Sequence, residues 1–490
     1  MRFSQLLDSA GLDKPLHGGE LDVRDVQIDS RRCTSGSCFV AVKGAADDGH
    51  KYIPAAIAAG ASAIVCQDAA AVPAGIPCAV TSDGQAAAGA LAQAIRGWPA
   101  RKLTCVGVTG TNGKTTVTYM TQSILASAGC SAALLGTIQY DTGAASHVSS
   151  MTTPGPIELS ELTAEMVAAG RTHLVLEASS HALSQGRLAG LNLAAGAFTN
   201  LTGDHLDYHH DMESYLAAKS RLFQQLPAGA RAVVNQDDPY GHRIGAASAA
   251  PVCWYGLTPS ADLWARVERM DAAGSRFGLV YGNAERAVQT TMIGKHNVQN
   301  CLAAAGACLA LGMDLGDVAE SLGRLPRVPG RLERVAAAAP FSIFVDYAHT
   351  DDAMVNVLGA LRPITRGRLI LVFGCGGDRD RTKRPRMAAV AERMADVVIV
   401  TSDNPRSEQP EAIIAEILTG FSPSGRAKAA VEIDRHAAIA MAIGQAREGD
   451  VVLIAGKGHE KYQIIGEQRL DFDDVKVAAD AATTAVEGVV

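Results

Sequence analysis

The stretch that decides the fold runs from Gly107 to Thr116 and reads Gly-Val-Thr-Gly-Thr-Asn-Gly-Lys-Thr-Thr. It overlaps the end of Lys102–Thr109, an apolar and β-branched run that predicts a buried strand, and it would open a helix. Glycines allow backbone N–H groups to close around phosphate oxygens, and a helix N-terminus adds a positive dipole. Lys114 would then reach the β- and γ-phosphates of a nucleotide, and Thr115 would hold Mg²⁺.

This phosphate-loop pattern is a variant, because the strict form has glycine where Val108 stands. A Gly-rich turn without nucleotide is the plainer alternative, but the order of strand, loop, Lys-Thr and helix favours a nucleotide. The loop alone suits a GTPase or a motor ATPase equally well. Since no DxxG switch or NKxD guanine motif occurs at a useful spacing, the rest of the chain has to decide.

The bulk composition predicts an ordinary soluble protein of two or three domains. The chain has 490 residues, of which 48% are apolar and 19% charged. Its first residues lack the features of a secretory signal, and the longest apolar stretch, Cys301–Met313, is too short to span a bilayer. Ten scattered cysteines without zinc spacing indicate reduced thiols, and a net charge of −7 argues against a nucleic-acid-coating surface. We therefore expect a cytoplasmic location, no membrane insertion and no nucleic-acid partner.

Three blocks follow one another along the chain, with expected domain limits at 1–100, 101–331 and 332–490. A Trp98-Pro99 breaker separates the first two, and Val328-Pro-Gly-Arg331 is typical of a hinge before the third. Alternating strands and helices predict an α/β fold: a central doubly wound parallel sheet carrying the phosphate loop (P-loop), a Rossmann-like C-terminal domain and a smaller N-terminal α/β domain. Further predicted strands are Leu174–Glu177, Gly196–Asn200, Ala232–Asn235, Ser342–Tyr347, Leu369–Phe373, Val397–Thr401 and Val451–Ala455. Predicted helices are Tyr52–Ala61, Leu159–Ala169, Met212–Gln225, Met387–Met394, Ala412–Leu418 and Arg435–Arg447.

Several further motifs lie along the chain after the phosphate loop. They are Glu177-Ala-Ser-Ser-His181, Thr199–Asp207, Ala218–Phe223, Gly294-Lys-His-Asn297 with Asn300, and Val345-Asp-Tyr-Ala-His349. Together with Gly110–Thr116, this set resembles the Mur ligase family and its relatives, the folylpolyglutamate synthases, over nearly the whole chain. The resemblance implies an ATP-dependent carboxylate–amine ligase that works through an acyl phosphate.

The resemblance also implies ATP and Mg²⁺, the metal at two sites, as cofactors. It places ATP on Gly110, Thr111, Asn112, Gly113, Lys114, Thr115, Thr116, Asn297, Arg331 and Asp346. The metal ligands that it implies are Thr115, Glu177, His205 and Lys219. The plainer alternatives are a solvated strand end for Glu177, an ordinary hydrogen-bonding role for His205, a helix N-cap for Asn297 and a hinge-surface position for Arg331.

Three residues would be catalytic: Lys114, Lys219 and His205. Glu177 supports this site from the residues alone, because it ends a predicted strand where doubly wound folds bind ligands and because carboxylates suit Mg²⁺. Lys219, in the helix Ser214–Gln225, would ordinarily be a surface lysine. In the family the matching lysine is carbamylated by CO₂ to N6-carboxylysine, which turns a cation that repels Mg²⁺ into an oxygen ligand. Its amine must first lose a proton, against an ordinary pKa of about 10.4.

The acceptor substrate is implied by motifs in the first two blocks. Asp29-Ser-Arg-Arg32 and Phe39–Gly44 resemble the uridine-nucleotide region of the members that add the third stem-peptide residue, although Asp-Ser-Arg is also a common turn. Thr152-Thr-Pro154 and Ser179–Arg187 strengthen the likeness. The resemblance places a UDP-muramoyl substrate on Ile28, Ser30, Thr152, Thr153, Ser179, Gln185 and Arg187. Arginine suits this role because its planar fork binds phosphate or carboxylate.

The tetrapeptide Asp403-Asn-Pro-Arg406 follows the predicted strand Val397–Thr401. It resembles the mark of members that add meso-diaminopimelate, from which lysine-adding members depart; an Asn-Pro turn is the plainer reading. Diaminopimelate has one carboxylate more than lysine, and Arg406 can bind that group with two parallel hydrogen bonds. The residues that the resemblance assigns to this amino acid are Arg379, Asp403, Asn404, Pro405, Arg406, Gly456 and Glu460.

We therefore expect a monomeric ligase of peptidoglycan precursor synthesis whose partners are small molecules: UDP-MurNAc-dipeptide, meso-diaminopimelate and ATP. A folylpolyglutamate synthase is the nearest enzyme alternative, but Asp29-Ser-Arg and the Asp403–Arg406 motif do not fit it. A non-catalytic nucleotide-binding scaffold is the distant alternative. The full set of metal positions disfavours it.

Overall fold

The first hundred residues form a small parallel sheet with helices packed on it. The computed structural model describes residues 1–44 and 47–487. The strands of this sheet lie in the order β1-β2-β3-β4 and are β1 Asp25–Gln27, β2 Ser37–Val40, β3 Ala61–Cys66 and β4 Cys78–Val80. The helices are α1 Phe3–Ser9, α2 Ile53–Ala58 and α3 Gly84–Ile95. Helix α2 is shorter than the predicted Tyr52–Ala61, because a 3-10 turn, Gly49–Tyr52, precedes it and β3 already begins at Ala61.

The central sheet has eleven strands and carries the phosphate loop. Its strands are β5 Thr104–Thr109, β6 Ala132–Leu135, β7 Gln139–Asp141, β8 Ser146–Val148, β9 His173–Glu177, β10 Leu193–Phe198, β11 Arg231–Asn235, β12 Val252–Gly256, β13 Leu263–Asp271, β14 Gly274–Tyr281 and β15 Ala284–Thr290. They lie in the order β15-β14-β13-β12-β11-β10-β5-β9-β6-β7-β8. The strand before the loop is therefore central, as a ligand site at the carboxyl edge of a doubly wound sheet requires.

The prediction of a wholly parallel central sheet is wrong at both edges. The pairs β6–β7–β8 and β13–β14–β15 are antiparallel, whereas β12-β11-β10-β5-β9-β6 are parallel. Only two residues separate β13 from β14 and β14 from β15. A parallel connection needs a crossover of about a dozen residues or more, so these short links force hairpins.

Helices cover both faces of the central sheet. They are α4 Lys114–Ser127, α5 Pro156–Ala168, α6 Ser180–Ser184, α7 Leu206–His209, α8 Met212–Gln224, α9 Gly241–Ala246, α10 Lys295–Ala310 and α11 Leu315–Gly323. Neighbouring side chains of a strand point to opposite faces. Accordingly, Val106 and Val108 pack in the cluster formed with α4 and α10, and Cys105 packs in the cluster formed with α5 and α8.

The third block is a second doubly wound unit. Its strands are β16 Glu333–Arg334, β17 Ser342–Asp346, β18 Leu369–Phe373, β19 Val397–Val400, β20 Ala429–Val431 and β21 Val451–Ala455, in the order β16-β17-β21-β18-β19-β20, with a separate hairpin of β22 Tyr462–Ile465 and β23 Gln468–Asp471. All pairs in the larger sheet are parallel except β16–β17. Its helices are α12 Asp351–Leu361, α13 Lys383–Met394, α14 Pro410–Leu418, α15 Arg435–Gly444 and α16 Asp474–Glu487. Further 3-10 turns are Ser30–Arg32, Ala69–Ala71, Pro99–Lys102, Arg362–Ile364 and Gly425–Lys428. The α/β fold class is confirmed.

The third block contacts the phosphate loop directly. Asp352, in the first turn of α12, accepts hydrogen bonds from Asn112 Nδ2 at 2.7 Å and from Thr202 Oγ1 at 3.0 Å. The first block joins the centre through α3 and α5, where Gln93 Nε2 donates to Thr163 Oγ1 at 3.2 Å. All ten cysteines are free thiols. Of the helices in the described part of the chain, none is long and apolar enough to cross a membrane.

Candidate active site

The phosphate loop is a tight turn between β5 and α4. Gly110 has φ 151° and Gly113 has φ 88°. A Cβ added at Gly110 would lie 1.8 Å from Thr199 Oγ1, and one added at Gly113 would lie 2.4 Å from Asn300 Oδ1. Only glycine therefore fits at either position. Val108 lies inside β5, so the turn begins two residues later than in the strict pattern, which explains the variant.

The segment after β10 braces the phosphate loop. Asn200 Oδ1 accepts from the Asn112 N–H at 2.9 Å, and Asn200 O accepts from the Thr111 N–H at 2.8 Å. Thr199 Oγ1 donates to Asn112 O at 2.6 Å. The motif that begins at Thr199 thus fixes the loop backbone, a role that spacing in the sequence did not reveal.

Two lysines converge on one carbonyl of the loop. Gly110 O accepts from Lys114 Nζ at 3.0 Å and from Lys219 Nζ at 2.7 Å. Lys219 is 1% exposed, so it is not a surface lysine. Burial lowers the pKa of Lys219 well below its ordinary value, and the charge of Lys114 lowers it further. Burial also lowers the pKa of Lys114, although Glu177 and Asp204 oppose that shift.

Two carboxylates flank these lysines. Glu177 ends β9, is 1% exposed, and accepts from the N–H and the hydroxyl of Thr137 at 2.7 and 3.1 Å, so it is not a solvated strand end. Asp204 was not assigned a role from the sequence, although it stands beside His205. Burial raises the pKa of Asp204, but His205, His349 and Lys114 outweigh it and leave that pKa below its usual value.

The predicted metal ligands lie around the loop without forming a closed cage. Within residues 1–44 and 47–487, no three His, Cys, Asp or Glu side chains come together as a metal site. His205 has φ 55°, and its Nε2 lies 3.5 Å from Asp204 Oδ2. Thr115 Oγ1 accepts from Arg331 Nη2 at 2.9 Å. Mg²⁺ in nucleotide sites is held by one or two carboxylates together with phosphate oxygens and water, which this open set of donors fits.

A cavity of about 280 Å³ opens beside the phosphate loop between the second and third blocks. Six of the ten residues predicted to bind ATP line it: Asn112, Gly113, Thr116, Asn297, Arg331 and Asp346. The other four, Gly110, Thr111, Lys114 and Thr115, belong to the loop itself. Lining residues that the sequence did not single out include Asp237, Asp238, His296 and Asp352. Burial raises the pKa of Asp352.

Two plainer alternatives for this cavity are wrong. Helix α10 begins at Lys295 with Gly294 as its cap, so Asn297 is not an N-cap; its Nδ2 donates to Ile293 O at 2.9 Å. Arg331 is not a hinge-surface residue, since it donates to Thr115 and its guanidinium lies 4.7 Å from the centre of the Tyr347 ring.

Asp346 lies beside Arg331 at the edge of this cavity. Its Oδ2 accepts from Leu332 N–H at 2.6 Å and its Oδ1 from Ala348 N–H at 2.8 Å. Burial raises the pKa of Asp346, while Arg331 and the two backbone donors oppose that shift. The carboxylate therefore fixes the turn that carries Arg331 and the segment that follows β17.

Five of the residues predicted for the acceptor form one hydrogen-bonded network. Thr153 Oγ1 donates to Glu177 O at 2.7 Å and to Ser179 Oγ at 3.1 Å. Arg187 donates to Thr153 O at 2.9 Å and, through Nε, to Gln185 Oε1 at 2.9 Å. Thr152 joins through the Thr137 hydroxyl, which donates to Glu177 and lies 3.1 Å from Thr152 Oγ1. The acceptor network is thus continuous with the Glu177 carboxylate.

Ile28 and Ser30 stand apart from this network. Ser30 is buried in the turn that follows Asp29, whose carboxylate accepts from the Arg31 N–H at 3.0 Å, and Ile28 is 38% exposed. Within the described residues, no hydrogen bond links either one to Thr152, Thr153 or Arg187. An acceptor that binds both regions would therefore have to extend from Ser30 to the network around Thr153.

A second cavity, of about 650 Å³, lies between the third block and the loop Gly203–Leu206; we call it the amine cavity. Six of the seven residues predicted for the amino acid line it: Arg379, Asp403, Asn404, Arg406, Gly456 and Glu460. Pro405 is buried and does not line it. Asp204 and His205 line the opposite wall. One space therefore joins the predicted amino-acid site to the loop beside Lys114.

The loops that carry the two arginines are held together. Arg406 has φ 53°, and its Nη1 donates to Gly377 O at 2.9 Å. The Gly377 N–H in turn donates to Asn404 O at 2.9 Å. Arg379 Nη1 donates to Asp378 O at 2.9 Å and its side chain is exposed. Arg406 is thereby fixed at the cavity wall, whereas Arg379 extends into open space.

The fold and the site together define a P-loop enzyme with two cavities that share Tyr347 and His349 in their lining. Family models described as "Mur ligase middle domain", "Mur ligase, glutamate ligase domain" and "Mur ligase family, catalytic domain" match residues 108–308, 330–458 and 22–97. The chain belongs to the Mur ligase family.

Its relatives match from end to end. The UDP-N-acetylmuramoyl-L-alanyl-D-glutamate–2,6-diaminopimelate ligase of Gloeobacter violaceus is 45% identical over 483 residues, which is 98% of both chains. The ligase of the same name from Geobacillus kaustophilus is 45% identical over 473 residues, 95% of this chain and 96% of the relative. A solved structure of a ligase with this name has a TM-score of 0.72, 33% identity and 99% coverage of both chains.

Proposed function

We propose that this chain joins an amino group of meso-diaminopimelate to the D-glutamate γ-carboxylate of UDP-N-acetylmuramoyl-L-alanyl-D-glutamate at the expense of ATP, in peptidoglycan precursor synthesis. The observation that carries the proposal is the amine cavity, in which Arg406, Asn404 and Glu460 face Asp204 and His205 across one space. The names of relatives that match the whole chain support the same substrates.

The nucleotide is proposed to bind with its phosphates on the loop. Backbone N–H groups at the start of α4 and the Lys114 ammonium would contact the phosphate oxygens. Arg331, already beside Thr115, would add a second positive charge. The remaining nucleotide would occupy the 280 Å³ cavity next to Asn297 and Asp346.

Mg²⁺ is proposed to be held by Thr115, Glu177, His205 and a carbamate on Lys219, with Asp204 as a further oxygen donor. When bound, the ion neutralises phosphate charge. Carbamate formation requires a neutral amine, and the buried Lys219 beside Lys114 supports that state. The amine nitrogen bonds to the carbon of CO₂ and releases one proton, which leaves an anionic oxygen pair in a place where a cation would repel the metal.

The reaction is proposed to run in two steps on this scaffold. A γ-carboxylate oxygen of the acceptor attacks the γ-phosphorus, which yields ADP and an acyl phosphate. The free amine of diaminopimelate then attacks the acyl carbon, its nitrogen loses one proton, and phosphate leaves and carries that proton as hydrogen phosphate. Arg187, Thr153 and Ser179 would orient the acceptor, and Arg406 and Glu460 would orient the amine, so that positioning supplies much of the rate.

Phosphate release from ATP, measured across a panel of acceptors and amino acids, tests this proposal. Release is expected only with UDP-MurNAc-dipeptide and an amino acid together, and fastest with meso-diaminopimelate. Release with dihydrofolate and glutamate instead would support the folylpolyglutamate synthase alternative. Absence of any amine-dependent ADP formation would support the alternative of a non-catalytic nucleotide-binding scaffold.

A further inference from the structure

A completely buried lysine lies directly behind residues that line the amine cavity. Lys457 directly follows Gly456 after β21 and has no exposed side-chain surface. Its Nζ donates to Asn404 Oδ1 and to Tyr462 O, both at 2.8 Å. It also lies 3.4 Å from Asp403 Oδ1 and 3.9 Å from Glu460 Oε2. Burying an ammonium is costly unless it is paired, so these acceptors account for its place.

Lys457 helps to fix the direction of the Asn404 amide. An ammonium only donates, so the Asn404 atom that it contacts is the oxygen. The Ile464 N–H donates to the same oxygen at 3.0 Å, which occupies both of its lone pairs. Asn404 Nδ2 therefore faces Glu460 Oε2, to which it donates at 2.8 Å. Toward the cavity, the Asn404 amide can offer only its second N–H.

Other charged groups surround Lys457. Asp403 and Glu460 bring two carboxylates against the single ammonium of Lys457. The nearby Arg435 is already paired with Asp474 at 2.7 Å, and both of these side chains are fully buried. Arg406, which lines the same cavity, adds a further positive charge, so Lys457 and Arg406 together balance the two carboxylates.

We propose that Lys457 is a positioning residue for the incoming amino acid: it holds Asn404 as a donor toward a substrate carboxylate. The inference rests on the proposed function and deepens it, because it gives a role in amino-acid selection to a residue that does not itself line the amine cavity. Lysine, whose distal end has an ammonium but no carboxylate, does not use that donor.

Lys457→Met in the full-length chain tests the role of this lysine. The matched control is Lys461→Met, because Lys461 is 55% exposed and pairs at the surface with Asp473 at 2.8 Å. The KM for meso-diaminopimelate is expected to rise about thirtyfold, which is about 2 kcal/mol. The KM for ATP and the kcat should stay near wild type, and the KM for lysine should change much less. The control should match wild type throughout.

Asn404→Asp gives an independent test if Lys457→Met does not fold. The substitution is isosteric, keeps an oxygen for Lys457 and replaces the donor toward the cavity by an acceptor. A rise in the diaminopimelate KM of about tenfold or more supports the role of the held amide. A folded Lys457→Met with an unchanged KM, or equal losses for both amino acids, overturns the inference. If wild type itself shows no diaminopimelate-dependent release, the proposed function fails instead.

Discussion

The phosphate loop and the amine cavity are built in opposite ways. The loop is one short segment, Gly110–Thr116, whose binding groups are mostly its own backbone and the start of its own helix. The residues predicted to hold the amino acid in the amine cavity come from three separate segments, 376–379, 403–406 and 456–460. Hydrogen bonds to backbone carbonyls join the first two segments, and the third is joined to Asn404 through Lys457. Single substitutions within the loop should therefore be enough to impair the first site. The second site should also be impaired by substitutions of residues that never touch the substrate.

Lys114→Ala is expected to impair the phosphate loop more than any other substitution proposed here. Its ammonium lies 3.0 Å from Gly110 O at the start of α4, beside the proposed phosphate site. Its removal should lower the rate of ATP-dependent phosphate release by on the order of a thousandfold. Lys102→Ala, on the exposed turn before β5, is the control and should be unaffected. Near-normal turnover of a folded Lys114→Ala would contradict the role.

Lys219→Ala separates a carbamate from an ordinary buried lysine. If the carbamate supplies an anion, turnover should fall by on the order of a hundredfold or more, and short carboxylic acids in excess should restore part of it. The same acids should not rescue Lys114→Ala, which lacks a cation. Labelling with ¹³CO₂ and NMR should show a carbamate signal in wild type alone. A bare ammonium at Lys219 in a metal-loaded, active crystal would rule the carbamate out.

Arg406→Ala tests the amine cavity at the substrate itself. Removing one partner of a desolvated ion pair costs about 3–5 kcal/mol, so kcat/KM for meso-diaminopimelate should fall by on the order of a hundredfold to a thousandfold or more. Lysine lacks the distal carboxylate, so its low kcat/KM should stay nearly constant. Arg393→Ala, on the same domain but outside the amine cavity, is the control. Equal losses for both amino acids would make Arg406 structural or catalytic instead.

The same contrast explains what the sequence could predict. The strands Leu369–Phe373 and Val451–Ala455 agree with the structure to the residue, because continuous apolar runs bounded by polar residues mark buried parallel strands. The hairpins at both sheet edges did not follow from the alternation of strands and helices. The phosphate loop could be predicted because its chemistry is contiguous.

Side chains that meet only through the fold could not be predicted in the same way. Asp204 could be assigned to the site only from the fold, which buries it near Lys114. Asp352 could be assigned only because α12 brings it from another block to Asn112. Lys457 stands between Gly456 and Glu460, which were both predicted for the amino acid, but its contacts with Asn404 and Asp403 span more than fifty residues of sequence. For such residues, the sequence shows the residue type but not which side chains it contacts in the fold.

The smallest expected effect comes from Glu408, which never touches the amine cavity yet supports both arginine loops. Its Oε1 accepts from the Asp378 N–H at 2.7 Å and from Arg384 Nη2 at 2.8 Å, and Arg384, fully buried, also reaches Gly376 O at 3.3 Å. The Arg384 guanidinium lowers the pKa of Glu408 from 4.5 to about 2. A depressed carboxylate pKa adds stability that is fully present above pH 4.5 and is lost as the pH falls toward 2.

Glu408→Gln should therefore lower the free energy of unfolding at pH 7 by about 1–2 kcal/mol, since Glu416 still pairs with Arg384. Denaturant titrations from pH 7 to pH 2 should show the difference from wild type shrinking only below pH 4.5. The KM for meso-diaminopimelate should rise by a few fold at pH 7, because the 376–379 loop loses one anchor, while ATP binding stays unchanged. Glu411→Gln, exposed at the start of α14, should alter neither quantity. A stability difference that persists unchanged to pH 2 would show that the loss arises from packing and not from the charge of Glu408.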